Sequence, residues 1–422
     1  MKILYHHRTR ARDGQDVHIT GMIRALRELG HEVLIVAPGR PERPSAQSSP
    51  AGGGSDFGGG GALARLKRSC PRFVYEALEL AYALVVYARL RRAILAHRPD
   101  VLYERYNLFQ PAGVWARRRF GLPLLLEVNS PLYEERAAHG GIALRGLARW
   151  SQRFCWRGAD CVLPVTEALA RRIADYGVDR ARIVVIPNGI DPQQFRSGID
   201  GVEAKRRLGL AGRVVVGFTG FVRNWHGLDQ VIGILAKTVP PGGPAPHLLI
   251  VGDGPARADL ERQALAAGVA DRVTFTGVVP HERIAAHIAA FDVALQPAAV
   301  EYASPLKLFE YMAAGRAIVA PAQPNIMEIL TDGDDGVLFD PQEPGALARA
   351  IDRLCRDHAL RARLGDAARR TIRARRMTWR DNAARVVALA SALQSSGGGS
   401  LAASAVRAPV AAPAGPAHGT PP

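Results

Sequence analysis

Short apolar runs alternate with longer amphipathic stretches from the first residues of this 422-residue chain. Residues 2–5 form a buried-strand pattern, and a polar loop containing Gly14 follows. Ile19, Ile23, Leu26 and Leu29 then recur at helical spacing until Gly30 stops the helix. The run Glu32-Val-Leu-Ile-Val-Ala37 is a second strand. Strand, loop, helix and strand in this order open a doubly wound sheet. Ligands of such sheets bind beyond the carboxyl ends of the strands, so the loop from Tyr5 to His18 is expected to face a cleft. Further strands are expected at 101–103, 124–128, 161–165 and 183–186, and the turn Pro187-Asn-Gly-Ile-Asp191 closes a first domain. A second series has strands at 214–218, 247–251, 273–275, 293–295 and 317–320, with helical stretches between them. The expected architecture is α/β, with two doubly wound, Rossmann-like domains facing a cleft. They span residues 1–195 and 196–378, and an amphipathic segment, 379–394, crosses back to the first domain.

Two segments break the pattern. Residues 38–61 are rich in Pro, Gly and Ser and read as a flexible insertion, and 395–422 read as a disordered tail. Between them, residues 62–97 form a long helical region. It carries an apolar stripe (Phe73, Leu80, Leu84, Ala88) between basic clusters at Arg65, Lys67, Arg68 and Arg72 and at Arg89, Arg91, Arg92 and Arg98. It reads equally as a membrane-surface helix or as a core helix with solvated arginines, since Glu76 and Glu79 interrupt its polar face.

Composition is that of a globular protein, 48% hydrophobic and 22% charged, but the formal net charge is +16. Most of that surplus lies in the first 195 residues. Nucleic acid is set aside as a partner, because no zinc-finger, RRM or helix-turn-helix signature accompanies the charge. An anionic membrane surface and an acidic substrate stay open. The four cysteines lack metal-ligand spacing and read as reduced structural thiols. No apolar run reaches the ~20 residues a spanning helix needs, and the opening is a strand pattern and not a leader. The expected location is cytoplasmic, on the inner face of the membrane if the basic helix docks there.

Candidate chemistry concentrates at Glu301-Tyr-Ala-Ser-Pro-Leu-Lys-Leu-Phe-Glu310, a loop feeding a helix. The helix N-terminus offers free backbone N–H groups to a phosphate, and Lys307 adds a point charge. Glu310, about one turn in, can accept two ribose hydroxyls. In outline the loop holds a nucleotide sugar.

With the Gly14/His18 loop, Gly30-His-Glu-Val33, Pro187-Asn-Gly-Ile-Asp191 with Phe195, Gly220-Phe-Val-Arg-Asn-Trp-His-Gly227, Ile250-Val-Gly-Asp-Gly-Pro255 and Val273-Thr-Phe-Thr-Gly277, the chain up to about Leu393 resembles the retaining glycosyltransferases of family 4, which have the GT-B fold. The resemblance implies a nucleotide-sugar donor on the second domain. Gly14, Gly220, His226, Gly252, Gly254, Val278, Ser304, Pro305, Leu306 and Glu310 would contact the donor, with Val278 at the base. Asp253 reads better as a turn residue capping the next helix. Arg223, Lys307 and Glu301 would be the catalytic set, and His18 and Asn129 would lie on the acceptor side, with His18 contacting either the donor phosphate or the acceptor, a glycan or lipid-linked hydroxyl. No cofactor and no metal are expected. The chain departs from the family pattern in three places. Eight residues separate Glu301 from Glu310 where the family has seven, so Tyr302 is the alternative to Glu301. Phe221 and His226 stand where an Arg/Lys pair is usual, which leaves Arg223 as the substitute cation. Asn129 stands where many relatives have a histidine, and Glu127 either points into the sheet's mouth or simply ends a strand. Surface polysaccharide or glycolipid synthesis is the expected setting. A degenerate nucleotide-sugar-binding partner and a GT-B nucleotide-sugar epimerase are the alternatives.

Overall fold

A computed structural model describes residues 1–9, 14–38, 70–195, 200–237 and 245–395. Nearly all of the expected insertion, the tail beyond Ser395, and Arg65, Lys67 and Arg68 lie outside the described residues.

The first domain contains β1 (Lys2–His6), α1 (Gly14–Glu28), β2 (Glu32–Val36), α2 (Arg72–His97), β3 (Val101–Arg105), α3 (Ala112–Phe120), β4 (Leu124–Val128), α4 (Leu132–Glu135), α5 (Arg145–Gly158), β5 (Cys161–Pro164) and α6 (Glu167–Asp175). A π-helical turn, Arg136–Gly140, follows α4. The strands form one parallel sheet in the order β2-β1-β3-β4-β5. Helices cover both faces, and so β3 and β4 are buried along their whole length. Leu4, Leu102, Leu124 and Leu126 face α2, α3, α5 and α6. Ile3, Tyr5, Val101, Tyr103 and Leu125 face α1 on the other side.

The expected strand at 183–186 is absent. A single bridge joins Ile183 to Val162, and Val184 and Ile186 donate to Val162 and Pro164. The return bond of the next rung would come from the N–H of Pro164, which proline lacks.

The second domain contains α7 (Gly201–Arg207), β6 (Val215–Thr219), α8 (Leu228–Lys237), β7 (His247–Val251), α9 (Arg257–Ala266), β8 (Val273–Phe275), α10 (His281–Ile288), β9 (Val293–Leu295), α11 (Leu306–Ala313), β10 (Ala317–Pro321), α12 (Pro324–Met327), β11 (Val337–Phe339), α13 (Ala346–Arg356) and α14 (His358–Ala374). Its parallel sheet runs β11-β10-β9-β6-β7-β8. The edge strand β11 has only three residues and was not legible in the sequence.

The last helix, α15 (Trp379–Ser395), belongs spatially to the first domain. Trp379, Ala383, Val386, Leu389, Ala390 and Leu393 share a core with Ile3, Ile19, Met22 and Leu26. A bridge between Ile190 and Thr378 ties the outgoing and returning segments together. Gly21 of α1 lets Trp379 lie flat against the helix, since a Cβ there would come within 2.7 Å of the indole. The cleft lies between the carboxyl ends of the two sheets.

The helix expected at 62–97 is described from Arg72; its glutamates do not lie on a polar outer face as expected, and it does not bury its apolar stripe as a core helix would. Glu76 and Glu79 are buried, whereas Phe73 and Leu84 are 54% and 63% exposed. The glutamates face inward because they have partners there. Glu76 accepts the backbone N–H groups of Ala143 and Leu144 at 2.9 and 2.7 Å, and Glu79 pairs with Arg136 at 2.9 Å.

Candidate active site

Two helix N-termini approach each other across the cleft. A Cβ placed on Gly14, the first residue of α1, would lie 3.3 Å from Leu306 Cδ1, the first residue of α11. Both positive dipole ends therefore converge on one volume, a natural position for an anion.

Lys307 projects from the first turn of α11. Its ammonium lies 3.8 Å from the centroid of the Phe218 ring and about 3.4 Å from the point a Gly220 Cβ would occupy. Glu310 follows one turn later. Burial pushes the Lys307 ammonium down to about 7, opposed by the Glu310 charge. Burial likewise pushes the Glu310 carboxyl up to about 7, opposed by Lys307. Two half-buried ionisable groups with shifted titration, side by side at a cleft, are a functional-site signature.

The neighbouring loops are fixed by backbone packing. Gly252 has φ +145°, and a Cβ there would lie 2.0 Å from the Gly220 carbonyl oxygen. At Gly254 it would meet the Val222 carbonyl oxygen at 2.2 Å. These glycines are required by the contact between the β6 and β7 loops, a role separate from the donor approach expected of them. Asp253 is not a helix cap as expected. It accepts from the Gly254 N–H at 2.7 Å and pairs with Arg257 at 3.3 Å, because the chain makes a further turn before α9 begins.

The cations of this loop differ from the expected arrangement. The Arg223 guanidinium is stacked on Phe221 and Trp225, at 4.9 and 4.6 Å from the ring centroids. His226 packs between Phe218 and Trp225, with its Nδ1 3.2 Å from the backbone N of Arg223. Burial, with Lys307 and Arg223 nearby, pushes the His226 imidazole down to about 2, so the ring is neutral.

Ser304 is buried. Its Oγ accepts from the Asn188 N–H at 3.2 Å, and its carbonyl accepts from Asn188 Nδ2 at 2.5 Å. Pro305 caps α11 with an extended backbone. Glu301 points away from the pocket, with its side chain 74% exposed and paired with Arg172 at 3.4 Å. Tyr302, the alternative, donates its hydroxyl to Glu135 of the first domain at 2.6 Å. Val278, the expected base contact, is 76% exposed on the rim beyond Gly277.

On the first-domain side, Glu127 is a hub and does more than end a strand. Its carboxylate faces His18 Nε2 at 3.0 Å, Arg105 Nη1 at 2.5 Å and the Tyr103 hydroxyl at 2.7 Å, and it also accepts from Asn129. Burial alone would raise this carboxyl, but the His18 and Arg105 charges and the hydrogen bonds hold it well below the usual range. His18 Nδ1 in turn contacts Asn188 Oδ1 at 2.6 Å, and its ring meets Trp379 edge-on. A continuous chain of contacts thus runs from Glu127 through His18 and Asn188 to Ser304. His18 and Asn129, expected on the acceptor side, are placed in this buried network.

Asn188, Arg105 and Trp379 were not singled out in the sequence as site residues. A usable signal existed for Arg105. Glu104 and Arg105 end an otherwise apolar, fully buried strand at its carboxyl end, where ligands bind. Among the described residues, no group of three or more His, Cys, Asp or Glu side chains is arranged to hold a metal ion.

Known proteins resemble this chain in sequence and in fold. Residues 13–189 match the glycosyl transferase 4-like domain, and residues 203–371 match glycosyl transferases group 1. The chain is 30% identical over 328 residues to a D-inositol 3-phosphate glycosyltransferase of Thermomonospora curvata, covering 72% of this chain and 75% of that one. It is 29% identical over 359 residues to the 2-deoxystreptamine glucosyltransferase of Streptomyces kanamyceticus, covering 81% and 90%. Among solved structures, sucrose-phosphate synthase from Thermosynechococcus elongatus superposes with a TM-score of 0.73 at 20% identity, covering 94% of this chain and all (100%) of that one. Anabaena HepE in complex with UDP and glucose gives 0.67 at 20% identity, covering 92% and 98%. With two matched family domains in this order on two parallel sheets, the chain is a glycosyltransferase of the family 4-like group with the GT-B fold.

Proposed function

We propose that this enzyme transfers a sugar from a nucleotide-sugar donor to a hydroxyl of a glycan or lipid-linked acceptor, with retention at the anomeric carbon. The observation that carries the reading is Lys307, held over Gly220 where the N-termini of α1 and α11 converge. An anionic diphosphate fits that position, and Glu310 one turn on is placed to accept ribose hydroxyls.

In this reading the bond between the anomeric carbon and the diphosphate oxygen breaks, and the leaving charge is met by Lys307, the two helix N-termini and the His226 N–H. Arg223 joins them by leaving its aromatic stack. The acceptor oxygen bonds to the same face of the anomeric carbon, and its proton passes to the departing phosphate oxygen. These groups supply the charge stabilisation for which other transferases use a metal ion, so none is required for the step. Glu301 and Asn129 would act at most through neighbours, given where their side chains lie.

UDP is the first nucleotide to test, since HepE was solved with UDP and with UDP-glucose. The experiment is a thermal-shift series of the full chain against UDP, GDP, ADP and dTDP with and without EDTA, followed by NMR of the product anomer. A shift with one base, insensitive to EDTA, and a product of retained configuration are expected. A folded protein shifted by none of them would overturn the reading, and one shifted by a nucleotide but transferring no sugar would favour a degenerate nucleotide-sugar-binding partner. Free epimer formed without acceptor would overturn it in favour of an epimerase.

A further inference from the structure

The helices α2, α3 and α5 lie side by side over one face of the first sheet. The Tyr87 and Trp115 rings meet edge-on at 6.1 Å between α2 and α3, and Arg118 lies 4.9 Å from the Phe154 ring between α3 and α5. Together these helices contain eleven arginines and two carboxylates. The two carboxylates are the buried Glu76 and Glu79. Ten of the arginines are exposed, and the eleventh, Arg117, is paired with Asp160. The outer surface of the layer therefore carries positive charge with no negative charge on the same helices.

The same surface is apolar along α2. Every exposed position from Phe73 to Ala88 is hydrophobic: Phe73, Ala77, Leu78, Ala81, Leu84, Val85 and Ala88. That face is about 23 Å long, from 15 steps of roughly 1.5 Å each. Arg89, Arg91 and Arg92 close its far end, and Trp150 of α5 stands 48% exposed beside Arg149 and Arg153. An outward stripe of Phe and Leu framed by arginines and a surface Trp is the composition of an interfacial helix. A solvated face would carry the polar residues outside, and α2 does the reverse.

We propose that this layer is a docking surface for an anionic lipid bilayer, with the apolar face of α2 entering the headgroup region and the arginines of α3 and α5 meeting the lipid charge. No helix among the described residues is long and apolar enough to cross a membrane, so the contact is made in the plane of the surface. Nucleic acid would engage the arginines but leave Phe73 and Leu84 in water, so lipid is the better match. The surface also has a functional position. The first turns of α2 pack on residues 136–144, which leave the carboxyl end of β4, so docking sets the cleft beside the lipid. The inference rests on surface chemistry and is independent of the transfer reading.

The test is flotation of the full chain with phosphatidylcholine vesicles, with and without phosphatidylglycerol, at low and high salt and without donor. Binding that requires phosphatidylglycerol and weakens with salt is expected. Leu84→Asp should abolish it, and Arg149→Glu with Arg153→Glu should weaken it by roughly tenfold or more. Leu84 is exposed, so its variant should keep the parent melting temperature and nucleotide-induced shift. Folded protein that ignores anionic vesicles would overturn the proposal, as would vesicle binding indifferent to Leu84→Asp. Self-association lost in Leu84→Asp, without vesicle binding, would assign the face to a second copy. Binding to DNA but not to vesicles would assign it to nucleic acid.

Discussion

His226 accepts the backbone N–H of Arg223 on its Nδ1 at 3.2 Å. A backbone amide only donates, so Nδ1 is the acceptor and the neutral ring carries its proton on Nε2. The resemblance puts His226 where the family usually has a cation, and the ring there is a neutral donor. His226→Ala is expected to lower kcat/KM by about 10- to 100-fold, the worth of one hydrogen bond to a charged group. His226→Gln, which keeps an N–H, should recover part of the loss. Equal activity in all three proteins would remove His226 from the site.

Lys307→Ala should reduce kcat by roughly 10²–10³-fold, as expected for loss of one preorganised contact to a developing charge. Glu310→Ala should act mainly on donor KM, because a ribose contact is made equally before and during transfer. Steady-state kinetics against varied donor separate the two. A Glu310→Ala variant with unchanged KM would contradict the ribose assignment.

The Lys307–Glu310 pair also predicts a proton linkage. Lys307 has a folded value near 7 against 10.5, so the folded protein holds fewer protons than the unfolded chain between those values, and this term makes stability rise with pH there. Glu310 has a folded value near 7 against 4.5, so the folded protein holds more protons in that window, and its term makes stability fall as pH rises through it. The pair's contribution is therefore least favourable near pH 7 in the absence of ligand. A diphosphate beside Lys307 restores its proton, and binding at about pH 8 should take up a proton. Calorimetry of UDP binding in buffers of different ionisation enthalpy measures that uptake. It should vanish in Lys307→Met.

Removing Glu127 should cost about 3–5 kcal/mol, since Arg105 and His18 would be left buried without their counter-charge. Chemical denaturation of Glu127→Ala reads this directly. Because the carboxyl is held below its usual range, its contribution is complete above the ordinary glutamate value and disappears as pH falls through the depressed folded one. Glu127→Ala should therefore differ from the parent least in strong acid.

Sequence pattern revealed the parts of this fold whose burial is uniform. The strands at 124–128, 247–251 and 293–295 were legible because each is buried along its whole length and reads as a mostly apolar run, while the half-buried edge strand at 273–275 was legible from its β-branched and aromatic residues. Residues 183–186 carry the same signal, but one proline on the neighbouring strand breaks the ladder. Lys307 and Glu310 could be named because they lie one turn apart at a helix start, a local relationship. The partners of Glu301 and His18 are set by long-range packing that no spacing encodes, whereas Arg223 and Asn129 are held by neighbours two residues away whose contacts depend on the local loop shape. The inward glutamates of α2 were misread for the same reason: their hydrogen-bond partners, at 136–144, lie some sixty residues further along the chain.

The helix that completes the first domain's core is the last described element to leave the ribosome. When Asp191 has been synthesised, the sheet of the first domain is whole, yet the apolar side of α1 still lacks Val386, Leu389 and Leu393. The first domain must therefore wait, partly uncovered, while the second is made. A nascent chain stalled between the domains should be sensitive to protease and bound by chaperones until α15 arrives. A gene cut after the first domain should yield an insoluble product, soluble again when α15 is appended through a short linker.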